Sequence, residues 1–327
     1  MGRLVKEFLA RSSLTTLLIL VGVILPARSN CQTPIFRVNV QLVRILATVK
    51  NSAGELVGTL NKEDFEILDN GVKQEIAIFE RRTAQPLSIA LLVDTSLSTA
   101  IELRYEVDSV NRFLRALFAE GSAEDAVALY SFNYQVTLLS SFTSRKERLE
   151  QSLKSIKPVG GTSLYDAIYL ASKDLEPRQG RRVIVVVTDG GDTTSVKTFH
   201  QALEAAQFAD AVLYAILVMP ITADAGRNVG GEHALVGLAT GTGGRVFTPS
   251  VGATLDAAFQ DILKELRTQY YLAYYPKEVP ASKDRFHRLE VKVHRPDLQV
   301  LSRSGYYSVI DSVAGRGSSD PPISPRQ

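Results

Sequence analysis

Asp94, Ser96 and Ser98 occupy alternate positions of the pentapeptide Asp94-Thr95-Ser96-Leu97-Ser98. One carboxylate and two hydroxyls at that spacing can be turned by a tight loop toward a single point, and hard cations such as Mg²⁺ take oxygen ligands of this kind. The same residues serve equally well as caps of a following helix, so the spacing alone does not choose. Two other loops add oxygen. Thr162 follows Gly160-Gly161, and Asp189 follows the buried-strand-like run Val183-Ile184-Val185-Val186-Val187 and opens Asp189-Gly190-Gly191-Asp192. Asp94, Ser96, Ser98, Thr162 and Asp189 together supply two carboxylates and three hydroxyls with no His or Cys. That donor set suits Mg²⁺ or Mn²⁺ and disfavours zinc or copper. Asp192 reads as a solvated or helix-capping residue ahead of Thr193-Thr194-Ser195, with steering of the loop as the second possibility.

The elements that must hold these loops follow from periodicity. Residues 89–93 form a continuous apolar run ending at Asp94, the pattern of a strand buried on both faces of a parallel sheet. A helix follows from about Ile101, with Val107, Val110, Leu114, Leu117 and Phe118 on one face. Strands at 126–132 and 136–142 are separated only by Asn133-Tyr134-Gln135 and must pair as an antiparallel hairpin. Helices are expected around 149–156, 164–171, 199–208, 233–239 and 255–266, and strands at 182–188, 211–218 and 245–247. This alternation predicts an α/β fold, a doubly wound, mostly parallel sheet over 86–267. Asp94 and Asp189 then lie at the C-terminal edge of the sheet, where such folds bind ligands.

The flanks read differently. Residues 34–82 have period-two runs, a possible helical turn at 60–65 capped by Asn61, and a hairpin signature at Asp69-Asn70-Gly71. Residues 268–309 contain the strand 270–275 with four tyrosines, the alternating strand 287–294, and extended chain at 298–301 and 305–307. Neither flank makes a core alone, so the two are expected to combine into one discontinuous, β-sandwich-like domain. The tyrosines are read as filling the contact between modules rather than as a binding platform. His287 and His294 are read as surface residues.

Composition narrows the function classes. The chain has 327 residues, 45% hydrophobic and 22% charged, with a net charge of +2. That balance argues against nucleic-acid binding or a basic membrane footprint. One Cys excludes an intrachain disulfide and a Cys-based zinc site. Residues 1–29 read as a signal peptide: Arg3, Lys6 and Arg11, an apolar stretch over 14–25 short for a membrane span, and Ala27-Arg28-Ser29 as the cleavage site. Retention as an anchor, or lipidation at Cys31, are the alternatives. The Gly-, Ser- and Pro-rich tail over 312–327 is expected to be disordered.

In order and context, Asp94-x-Ser96-x-Ser98, Gly161-Thr162 and Thr188-Asp189-Gly190 resemble the metal-ion-dependent adhesion site of the von Willebrand factor A family, complete at all five positions. The flanks, with Lys62-Glu63-Asp64-Phe65, Asp69 to Gly71 and Gly305-Tyr306-Tyr307, look like a bacterial exported subfamily with a related domain. The resemblance implies hydroxyl ligation by Ser96, Ser98 and Thr162, direct or water-mediated ligation by Asp94 and Asp189, and a position left for a protein partner's Asp or Glu carboxylate. It also implies that the helix at 255–266 is the one that shifts with site occupancy in some relatives. Enzyme readings lack residues. There is no second Asp for an aspartyl-phosphate mechanism after Asp94, no Lys in Gly241-Thr242-Gly243-Gly244 for a phosphate-binding loop, and no Gly-x-Ser-x-Gly elbow. The sequence therefore predicts an exported, non-enzymatic protein that binds Mg²⁺ or Mn²⁺ and captures a protein ligand. The alternative is a structural exported domain whose metal site captures nothing.

Overall fold

The computed structural model describes residues 42–308 apart from 82–84, 100–102, 219–228, 250–252, 281 and 283–284. The expected signal peptide, the strand residues expected at 36–41 and the expected disordered tail lie outside the described residues. The N-terminal flank supplies β1 (Val43–Asn51), a 3-10 turn (Lys62–Asp64), β2 (Phe65–Asp69), β3 (Val72–Gln74) and β4 (Ile78–Arg81). The middle of the chain supplies β5 (Leu87–Asp94), a 3-10 turn (Leu97–Thr99), α1 (Leu103–Glu120), β6 (Ala126–Phe132), β7 (Val136–Thr143), α2 (Lys146–Leu153), α3 (Leu164–Leu175), β8 (Arg181–Thr188), α4 (Phe199–Phe208), β9 (Ala211–Leu217), α5 (Val229–Thr242), β10 (Val246–Phe247) and α6 (Ala253–Thr268). The C-terminal flank adds β11 (Tyr270–Tyr274), β12 (Phe286–Val293), β13 (Leu298–Leu301) and β14 (Gly305–Tyr307).

The central sheet has six strands in the order β10-β9-β8-β5-β6-β7, all parallel except for the β6–β7 hairpin. Alternate residues of its strands face two cores. Ile89, Leu91, Val93, Val183 and Val185 pack beneath α1, α2 and α6, against Phe113, Leu149 and Phe259. Ala90, Leu92, Ala128, Ile184 and Val186 pack beneath α3, α4 and α5, against Ile168, Ala202 and Leu238. Burial on both faces is why these strands are continuously apolar. The chain leaves β5 for β6 on one side and later returns to β8 on the other, so a topological switch point lies at the end of β5. Helix α5 is longer than the expected 233–239 because its ends contain Gly230, Gly231 and Gly241, which weaken the sequence signal without stopping the helix.

The flanks form two four-stranded sheets, β13-β1-β11-β4 and β14-β12-β2-β3, each drawing strands from both ends of the chain. They share one core that includes Ile45, Ala47, Phe65, Ile67, Leu272, Tyr274 and Leu289. Asn70 and Gly71 adopt φ of 48° and 82° and close the β2–β3 hairpin with Asp69 opposite Val72, as the Asn-Gly pair requires. Residues 76–79 do not continue that hairpin. The side chain of Gln74 exchanges bonds with the Lys277 backbone at 2.9 and 3.1 Å, and the chain then crosses so that β4 pairs with β11 in the other sheet.

Two expectations for this part are corrected. His287 is buried rather than at the surface, its Nδ1 3.0 Å from Asp69 Oδ1. Tyr274 and Tyr306 donate their hydroxyls to Asp69 Oδ2 at 2.7 and 2.8 Å, so three side chains satisfy one fully buried carboxylate. Tyr270 and Tyr274 accordingly fill the sandwich itself, Tyr270 donating to the Val57 carbonyl at 2.8 Å and accepting from the Leu60 N–H at 3.0 Å, while Tyr271 lies, as expected, at the contact with the α/β part. Contact with the α/β part also uses charged groups. Buried Glu265 on α6 accepts from Lys50 of β1 at 2.7 Å and from Arg245 at 2.6 Å.

Candidate metal site at the sheet edge

Strands β5 and β8 are in parallel register with Val93 opposite Val187. Asp94 therefore ends beside Thr188, and Asp189 follows one residue beyond. Asp94 is fully buried. Its Oδ1 accepts the Ser96 N–H at 2.9 Å, its Oδ2 accepts the Thr188 hydroxyl at 2.6 Å, and the Ser96 hydroxyl also bonds to the carboxylate. Burial pushes its pKa up to about 7, against the lowering effect of these hydrogen bonds, and the neighbouring Asp189 charge pushes it further up. Asp189 is half-buried, its Oδ1 3.4 Å from the Gly191 N–H.

The 3-10 turn after β5 is closed by Thr99, whose hydroxyl donates to the carbonyls of Asp94 and Ser96 at 3.2 and 3.0 Å. Thr95 turns the other way, donating to the Phe132 carbonyl and accepting from Asn133 Nδ2, both at 3.1 Å. Thr95 is thus committed to β6, while the Ser96 hydroxyl stays with the Asp94 carboxylate. Ser98 lies in the same turn, and its side chain is outside the described part of the structure.

Thr162 reaches the site through the loop after β8. Its N–H donates to Thr193 Oγ1 at 2.9 Å, and its carbonyl accepts from the N–H groups of Thr193 and Thr194 at 2.8 and 3.2 Å. All three bonds use the backbone of Thr162 and leave its hydroxyl out of the network. Gly161 has a φ of +85°, and a Cβ there would stand 2.9 Å from the Cβ of Tyr134, so glycine alone allows the loop to turn here. Asp192 does not cap the helix that follows it, whose N-cap is Thr198; it ties its own loop to the start of the preceding helix α3. Its Oδ1 accepts from Ser195 Oγ at 2.6 Å and from the Tyr165 N–H in the first turn of α3 at 3.3 Å. Asp166 answers from α3, accepting the N–H groups of Val196 and Lys197 at 3.0 and 2.7 Å. Asp166 had not been singled out in the sequence, and Thr188 was named there only as part of Thr188-Asp189-Gly190, without a role of its own. Its bond to Asp94 gives it one. Asp166 carried no signal, because its partners are backbone groups some thirty positions away.

The structure thus brings Asp94, Ser96, Thr162 and Asp189 to one edge, at the switch point. Among the described residues no Lys, Arg or His pairs with either carboxylate, and no cluster of three His, Cys, Asp or Glu side chains forms a metal site. A buried carboxylate beside a second one, without a cation, is costly. A divalent ion ligated by oxygen removes that cost, so the residues present fit Mg²⁺ or Mn²⁺. Among the described residues no helix is long and apolar enough to cross a membrane.

Residues 89–191 match the family model of the von Willebrand factor type A domain. Among solved structures, the chain is similar to the conserved hypothetical protein BatB from Bacteroides thetaiotaomicron, at 20% identity over 56% of this chain and 100% of that one, with a TM-score of 0.45. It is also similar to the vWF domain of the type V pili tip protein Mfa5 from Porphyromonas gingivalis, at 17% identity over 56% and 95%, with a TM-score of 0.47. An aerotolerance-related membrane protein from Bacteroides fragilis NCTC 9343 gives 19% identity over 55% and 98%, with a TM-score of 0.43. No curated protein matches the chain. The matched segment 89–191 holds all three oxygen-bearing loops, and the matching model is that of the family which their motifs resemble.

Proposed function

We propose that this protein is an exported, non-enzymatic interaction or adhesion module. In this reading it binds Mg²⁺ or Mn²⁺ through Asp94, Ser96, Ser98, Thr162 and Asp189 and captures a protein partner that offers an Asp or Glu carboxylate. The observation that supports it most is the buried Asp94 carboxylate beside Asp189 with no basic partner among the described residues. The two carboxylates neutralise a divalent ion, so an arriving carboxylate is attracted rather than repelled. The bound ion supplies Lewis-acid attraction for that group. The protein's own part is to hold Asp94 through Ser96 and Thr188 and to fix Thr162 through Thr193 and Thr194. Export rests on the charged and apolar segment at 1–29.

The test is calorimetric titration of the mature chain with Mg²⁺ and Mn²⁺ beside Asp94→Ala. Saturable one-site binding that the variant loses while keeping its circular dichroism supports the metal site. A chelator-sensitive pull-down then supports capture. Absence of binding by a folded wild type, alone and with a carboxylate peptide present, overturns the reading in favour of a structural domain.

A further inference from the structure

At the opposite edge of the same sheet, the starts of β8 and β9 meet the first β-sandwich sheet around a cleft of about 30 Å³. It is lined by four arginines, Arg44 from β1, Arg181 and Arg182 from β8, and Arg303 from the segment before β14, against one carboxylate, Asp210. Arg181 and Arg303 are each more than nine-tenths buried. Their donors are satisfied mainly by neutral groups. Arg181 donates to the carbonyls of Gln85, at 3.1 Å, and Leu266; Arg182 donates to those of Arg178 and Ala209 at 2.9 and 2.7 Å. Carbonyls fill hydrogen-bonding capacity without cancelling charge. Among the described residues Arg303 alone of the four pairs with a carboxylate, its Nη1 standing 2.5 Å from Asp210 Oδ1, and its Nε is buried without a hydrogen-bond partner there. A buried, unpartnered donor on a charged group is a costly arrangement that calls for a ligand.

The fold places these groups deliberately close. Gly243 has a φ of +87°, and a Cβ there would stand 2.6 Å from the Arg303 N–H nitrogen. Any larger residue would push the Arg303 segment away from the end of α5, where the Ser304 N–H and hydroxyl both reach the Gly241 carbonyl at 3.3 and 3.4 Å. The glycine-rich stretch 241–244, which has no phosphate-loop lysine, thus serves to seat an arginine. Burial pulls the Arg181 and Arg182 guanidinium groups below their usual range, and the charge of Arg44 pulls Arg182 further the same way. Acidic groups soften this only in part: Asp125 acts on Arg181, and Asp210 and Glu176 on Arg182.

We infer that this arginine-lined cleft binds a small oxyanion, a phosphate or carboxylate group, held by Arg303 Nε with Arg181, Arg182 and Arg44 around it. The chemistry matches: guanidinium groups present planar donors suited to oxyanions. The small volume, room for about two waters, restricts the ligand to a compact anion or the tip of a larger one and leaves no space for a whole metabolite. The anion bridges arginines of the β-sandwich and of the α/β domain, so its binding also stiffens the joint between them. None of this depends on the metal reading.

The probe is inorganic phosphate at low millimolar concentration and fixed ionic strength, titrated by calorimetry, with acetate as a second arm. The wild type is expected to bind phosphate saturably at one site. Arg303→Gln is expected to lose at least about tenfold in affinity, the loss of one charge-assisted hydrogen bond. Because Arg303→Gln can disturb packing, Asp210→Asn gives the opposite sign: it removes the competing carboxylate, keeps a residue tolerant of the local φ of 49°, and is expected to tighten phosphate binding by about tenfold. Binding of acetate at the same site identifies a carboxylate as sufficient, and binding of phosphate alone identifies a phosphoryl group. No saturable heat from either anion with a folded wild type overturns the inference. So does an Asp210→Asn variant that binds no more tightly than wild type.

Discussion

The two edges of the central sheet carry opposite charge, and each buries part of it: Asp94 at one, Arg181 and Arg303 at the other. At the C-terminal edge Asp94 and Asp189 lie close, and among the described residues no Lys, Arg or His pairs with either. At the N-terminal edge four arginines converge on a single carboxylate. The solutions differ in how much the protein itself supplies. Asp94 accepts bonds from Ser96 and Thr188 and shares its surroundings with a like charge, so what it lacks is countercharge. The arginines are threaded through carbonyls and lack one acceptor, at Arg303 Nε. A third buried carboxylate shows what completion looks like. Asp69 in the β-sandwich is met by Tyr274, Tyr306 and His287 and has no role left to fill. An incomplete buried charge at a switch point or a domain joint, unlike a complete one in a core, points to a ligand.

The largest expected effect separates the edges. Asp94→Ala should abolish Mg²⁺ and Mn²⁺ binding in calorimetry, a loss of at least about a hundredfold for a direct ligand, while leaving the phosphate response intact. Arg303→Gln should do the reverse. Loss of both responses in either variant would show the two edges to be coupled and break the comparison.

Next in size is the pH dependence of the chelated protein. Asp94 has a folded pKa of about 7 against an ordinary value of 3.8, so the folded state holds its proton longer than the unfolded state does. Stability is therefore full below the unfolded value, falls as pH rises toward 7, and levels off above it, by about 4 kcal/mol at most. Urea titrations in chelator across that range should show the decline. Asp94→Asn should flatten it, and so leave the metal-free variant more stable than metal-free wild type at pH 8. Saturating Mg²⁺ should restore the wild type alone. A flat profile for chelated wild type would mean that Asp94 is ionised without cost and that the acidic edge needs no cation.

The sequence made one edge legible and hid the other. Asp94 and Asp189 each end an unbroken apolar run, so their position at the end of a buried strand could be read directly. The same runs announced the doubly wound sheet, and period two announced the β flanks. Thr188 required the β5–β8 register before its bond to Asp94 had meaning. The basic edge could not be read, because Arg44, Arg181 and Arg303 lie far apart in the chain and meet only when both flanks dock. His287 was misread although its signal was present: it shares the parity of Leu289, Val291 and Val293, and that parity faces the core.

The smallest effect expected concerns the mouth of the basic cleft. Arg44 is exposed, whereas Arg181 and Arg303 are buried. Solvent screens an exposed charge, which contributes up to about 1 kcal/mol to a partner. Arg44→Gln should therefore melt like wild type and bind phosphate no more than about fivefold more weakly. Its contribution should fade as salt is raised, because the screening length shortens. The contribution of Arg303 should persist, because a buried hydrogen bond is little affected by salt. Titrating both variants at two ionic strengths distinguishes them. If Arg44→Gln costs as much as Arg303→Gln, and both losses vanish together in high salt, the basic edge is an open electrostatic patch. Its likeness to the built acidic edge then ends at the sign of the charge.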